Sequence, residues 1–127
     1  MVNGQAGKGE EIKEGEMSLD FSLVDPTETY ESDDLYWGNI THNLGEMAGE
    51  AGIYESLWRP EEINATVATD IIPLLENGLA DLKARPEYFK KFDSPNGWGM
   101  YINFVPFVEE VLDACKQYPL AKIHVSR

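Results

Sequence analysis

His42 and Glu46 stand four residues apart, the spacing at which two side chains on one helix face can share a metal ion or a proton. A catalytic zinc needs a third ligand, and with His124 the only other imidazole that ligand would be a carboxylate such as Glu50. A solvated His–Glu pair requires no such addition, so no metal and no cofactor are expected. Thr41 next to His42 fails as a nucleophile and base, because helix neighbours point about 100° apart. Ser126 and His124 share a strand face but have no acid or oxyanion site beside them. The single Cys115 excludes an internal disulfide and falls on an apolar stripe, as a buried structural thiol would. Two groups suit recognition better than reaction. Asn39, His42 and Asn43 offer amide donors and acceptors for an amide-rich, nucleobase-like or sugar-like ligand. Asn96-Gly97-Trp98-Gly99, followed by Tyr101, offers an aromatic plate between two flexible residues.

The element that must carry the first group is the stretch WGNITHNLGEMAGEAG, Trp37 to Gly52. Its spacing predicts a helix with three sides. Trp37, Ile40, Leu44, Met47, Ala48 and Ala51 form an apolar arc, and Asn39, His42, Asn43, Glu46 and Glu50 a polar one. Gly38, Gly45 and Gly49, with Thr41 and Gly52, form a third arc of small residues. A glycine in a helix costs on the order of 1 kcal/mol relative to alanine, so this arc implies close approach by another backbone or a ligand. Asp33 or Asp34 is placed to cap such a helix.

Around this helix the chain reads as α+β, mainly α. Leu19, Phe21 and Leu23 alternate with Ser18, Asp20 and Ser22 in a half-buried strand, and Ala121, Ile123 and Val125 alternate with Lys122, His124 and Ser126 in a closing one. These terminal strands are expected to pair antiparallel against about three main helices. Ile53 to Trp58 makes one or two turns before Arg59-Pro60. Thr66 or Thr69 is expected to cap a helix with Ile71, Ile72, Leu75, Leu79 and Leu82 inward, Pro73 in its first turn and an end before Arg85-Pro86. Tyr88, Phe89 and Phe92 form a short turn. The clearest period belongs to the last helix, with Tyr101, Phe104, Val105, Val108, Val111, Leu112 and Cys115 on one stripe. Residues 1–16 are poor in apolar side chains and read as a flexible tail, leaving 17–127 as one globular domain.

Across 127 residues the chain carries 23 acidic and 10 basic side chains, a net charge of −13. That balance argues against direct binding of nucleic acid or an anionic membrane, and no apolar run approaches the ~20 residues of a membrane span. A cytoplasmic protein is expected. An exposed strand edge or the glycine arc would permit a homodimer.

The strings NITHNLGEMAGEAGIYESLWRPEE, SPNGWGMY and HVSR resemble a group of small, mostly uncharacterised proteins encoded by bacteriophages and prophages. The resemblance spans Met17 to Arg127 and rests on the Asn-Ile-Thr-x-Asn start and the NGWG-x-Y loop. It implies a host bacterial cell and an accessory protein that binds a host protein or a small molecule, and it carries no catalytic residue. The resulting expectation is a non-enzymatic binding protein that takes a small polar ligand or a host protein through Asn39, His42, Asn43, Trp98 and Tyr101. The rivals are a hydrolase or transferase using His42 with Glu46, and an acidic mimic or oligomerising module.

Overall fold

The computed structural model describes residues 18–27 and 34–127. The expected tail and the Asp33 cap lie outside the described residues. The alternation around Phe21 does make a strand, β1 (Ser18–Val24), with Leu19, Phe21 and Leu23 fully buried. It pairs antiparallel with β3 (Lys122–Ser126), Phe21 opposite Val125, so the two expected strands meet as partners. They are not alone. β2 (Tyr36–Thr41) lies antiparallel on the other side of β1, and the sheet order is β2-β1-β3.

β2 overturns the single three-sided helix. Tyr36, Gly38 and Ile40 face inward while Trp37, Asn39 and Thr41 face out, a period of two that the β-favouring run Tyr-Trp-x-x-Ile-Thr supports. Pairing with β1 satisfies backbone groups that β1 would otherwise bury unpaired. Asn39 is opposite Asp20, and its side-chain amide donates to Asp20 Oδ1 at 2.7 Å and Ser18 Oγ at 3.0 Å. The chain turns helical only after Thr41, whose hydroxyl accepts from the Asn43 backbone N–H at 3.2 Å. A 3₁₀ turn, His42–Leu44, then leads into the short helix α1 (Gly45–Glu50). Asp34 caps no helix and instead accepts from Ser22 Oγ at 3.2 Å.

The glycine arc dissolves with that helix. Gly38 is closely packed in β2, where an added Cβ would lie 2.6 Å from Tyr36 Oη and 3.1 Å from Phe107. At Gly45 the nearest atom would be Tyr54 Cε1 at 3.4 Å, an ordinary contact, and at Gly49 there is nothing within 4 Å. The backbone approaches that do exclude a side chain lie elsewhere, at Gly78 and Gly99.

The remaining helices follow the periods closely. α2 (Tyr54–Trp58) stops at Arg59-Pro60, and α3 (Ile72–Ala84) buries Leu75 and Leu82 and holds Pro73 near its start. Its approach is capped by Asp70 rather than by a threonine, since Asp70 Oδ2 accepts from the backbone N–H groups of Thr66 and Val67 at 2.9 and 3.1 Å. α4 (Pro86–Lys90) buries Phe89. α5 (Tyr101–Gln117) buries Phe104, Val108, Val111, Leu112 and Cys115 as its stripe requires, and also Phe107, which packs over Gly38. Among the described residues, α5 packs on β2 and α2 on β1, with α3 and α4 packed against α5. Ion pairs Lys83–Glu109 and Lys116–Glu76 join α3 to α5 at the surface.

The two sheet edges differ. Beside β3 the backbone of 66–68 continues the pairing, through Ile123 N–H to Thr66 O and Ala68 N–H to Ala121 O, both 2.9 Å. Among the described residues, no backbone segment pairs with the outer edge of β2.

A polar and aromatic groove as the candidate functional site

Beside β2 runs an open groove of about 710 Å³ whose walls come from segments far apart in the chain. One wall is Asp20, Trp37, Asn39 and Thr41 from the outer side of the sheet, and the other is the loop 97–99 with Asn103 of α5. Trp37 is 57% exposed and Trp98 64%, so two indoles stand uncovered at one groove.

The loop that carries Trp98 is held by short-range bonds. Asn96 Oδ1 accepts from Trp98 N–H at 2.9 Å, and Ser94 N–H donates to Gly99 O at 3.0 Å. Gly97 and Gly99 have φ of +81° and +116°, values that side-chain-bearing residues avoid. Asn43 fixes the loop to the fold by donating its side-chain amide to Trp98 O at 2.7 Å. Gly99 lies so near that an added Cβ would be 2.8 Å from Asn43 Cβ.

The groove presents acceptor oxygens beside the N–H groups of its two exposed indoles. Asn39 spends its amide hydrogens on Ser18 and Asp20, which leaves Asn39 Oδ1 and Asp20 Oδ2 without a partner among the described residues. Asp20 is the single charged side chain among the described residues lining it.

Of the residues expected at a site, Asn39 and Trp98 line this groove and Asn43 stands behind it as the anchor of the loop. His42 and Tyr101 belong to other surroundings. His42 Nδ1 accepts from the Trp58 indole N–H at 2.8 Å, and burial pushes the imidazole below its ordinary pKa. Tyr101 Oη donates to Leu82 O at 2.7 Å, tying α5 to α3. Glu50 accepts from Tyr88 Oη at 2.6 Å, so His42, Glu46 and Glu50 do not form one centre, and no three potential metal ligands gather among the described residues. Burial pushes the Cys115 thiol up to about 12, far from reactivity.

Sequence reasoning missed Trp37, Asp20 and Asn103. Asp20 had a visible signal, since alternation along β1 places it on the outer face with Ser18 and Ser22. Trp37, which helical spacing places on a core face, lies instead on the open side of a strand.

No helix among the described residues is long and apolar enough to cross a membrane. No family model matches the chain, and neither the curated proteins nor the solved structures contain a match to it.

Proposed function

We propose that this chain is a non-enzymatic binding protein and that the groove between β2 and the Trp98 loop is its recognition site, open to a small polar ligand or to a segment of a host protein. The observation that carries this reading is the convergence of Trp37 and Trp98 on one groove with unpartnered acceptor oxygens. Exposed indoles offer large rigid contact area at low entropic cost, and a few fixed polar atoms orient what binds. The engagement of His42 with Trp58 supports binding over reaction, because the lone pair a base would use is already occupied. The resemblance to phage and prophage proteins supports an accessory role in the cytoplasm of a bacterial host.

The three indole N–H groups give a direct test by nitrogen-15 NMR. Titration with fractionated host extract should shift the Trp37 and Trp98 signals and leave that of Trp58 in place, and Trp98→Ala should abolish the effect. Shifts confined to Trp58, or no shift with any fraction, would remove the groove as the site.

A further inference from the structure

We infer that the groove receives an extended, arginine-bearing peptide segment of another protein, which adds as a fourth strand to the outer edge of β2. This inference rests on the groove reading above and names its occupant.

Three independent features select that occupant. The first is the edge itself: β2 spans six residues, and its outward backbone groups have no backbone partner among the described residues, whereas the edge of β3 is continued by 66–68. Unpaired N–H and C=O groups at strand spacing are matched by another strand, and by no sugar or nucleobase along their whole length. The second is the groove's position, since it takes in Trp37 and Asn39 through Thr41 of the edge strand together with Ser18 and Asp20 of the neighbouring β1. The third is charge. Trp37 and Asn39 are the outward side chains of β2, so they flank those of an incoming strand on that face. A guanidinium there would stack on an indole and reach Asn39 Oδ1 and Asp20 Oδ2 with its planar fork of donors. Lysine fits less well, because its ammonium is a point charge on a more strongly hydrated head. A second copy of this chain is disfavoured by its own net charge of −13, which repels it and attracts a basic partner.

The probe is a blocked six-residue peptide of β-favouring residues with arginine at alternate positions, titrated into the full chain and read by the indole signals and by calorimetry. Binding should shift Trp37 and Trp98 and weaken as ionic strength rises. Asp20→Asn, which preserves shape, should weaken it about ten- to a hundredfold, the range for a lost charge-assisted hydrogen bond. Trp37→Ala, at an exposed position, should weaken it severalfold without altering the thermal midpoint. The same peptide methylated on alternate backbone nitrogens should not bind, because it cannot complete the ladder. Equal binding by the methylated peptide would overturn strand addition, and equal binding by Asp20→Asn would overturn recognition of the cation. If host-extract fractions shift the indoles but the peptide does not, this inference fails while the groove stands; if neither does, both fail. A concentration-dependent dimer that Trp37→Ala dissolves would assign the edge to a second copy and overturn the peptide.

Discussion

Asn43 and Trp98, distant in sequence, are joined by a side-chain amide donating to a backbone carbonyl at 2.7 Å, which ties one wall of the groove to the turn after β2. Through it the turn after β2 determines where the second indole stands. Asn43→Ala should cost about 1 kcal/mol or less of stability, as expected for an exposed hydrogen bond, yet release the loop. Amide exchange at Trp98 and Gly99 should accelerate while the α5 core amides keep their protection. Unchanged exchange at Trp98 would show that the loop holds itself.

Gly99 tests the same junction from the other side. Its φ of +116° and the 2.8 Å from an added Cβ to Asn43 Cβ predict that Gly99→Ala loses about 1–3 kcal/mol in denaturant unfolding. Measured against Asn43→Gly alone, which already lacks the bond to Trp98 O, the same alanine should cost less by the steric part only, since the backbone strain remains. No cost at all on that background would mean that the left-handed backbone costs nothing here.

Two helical glycines should respond with opposite sign. Alanine at Gly78 drives Cβ into Ile53 Cγ2 and to 3.0 Å from Ala51 O, so overpacking of about 1–3 kcal/mol exceeds the gain in helix propensity. At Gly49 nothing lies within 4 Å, and alanine should stabilise by up to about 1 kcal/mol. Thermal midpoints of the two variants decide it, and a stabilised Gly78→Ala would contradict the packing between α3 and the residues that follow α1.

The contrast also shows what the sequence could and could not reveal. Strands β1 and β3 and the stripe of α5 were readable because every inward position carries an apolar side chain. β2 was hidden because its middle inward position is Gly38, which has no side chain to mark the alternation, while Trp37, Ile40 and Leu44 happen to fall on helical spacing. The space above that glycine is taken by the Tyr36 side chain and by Phe107, far along the chain. The pairing of Asn39 with Trp98 across the groove was likewise out of reach, since it depends on Asn43 holding the loop. Only the residue types, amides and an aromatic flanked by glycines, pointed to the site proposed above.

Cys115 should act as a reporter of global unfolding. It is fully buried and its thiol is pushed up to about 12 by that burial, so a thiol reagent must wait for the core to open. Labelling rates should fall steeply as stability rises and parallel the exchange of the slowest α5 amides. Fast labelling of the native chain would reveal a local opening of α5 that the packing of its buried stripe does not allow.

His42 gives the fold a pH dependence with a definite sign. Burial disfavours the charged imidazole, so its folded pKa lies below the ordinary 6.5 and the unfolded chain takes up the proton first. Stability is therefore full above pH 6.5 and falls as pH drops from there toward the folded pKa, below which this contribution changes no further. The acceptor role of Nδ1 has the same consequence, because a protonated Nδ1 cannot accept from Trp58 Nε1. The carboxylates of Glu61, Asp70 and Asp81 are held below their ordinary values by hydrogen bonds, so their contributions are lost only at more acid pH. His42→Gln keeps an acceptor for Trp58 without a titrating group. Between neutrality and pH 5.5 the thermal midpoint of the wild type should fall relative to that of His42→Gln, with the Trp58 indole signal moving in parallel. Parallel melting curves for the two proteins across that range would show that the imidazole charges freely in the folded state, and that the bond to Trp58 does not hold it neutral.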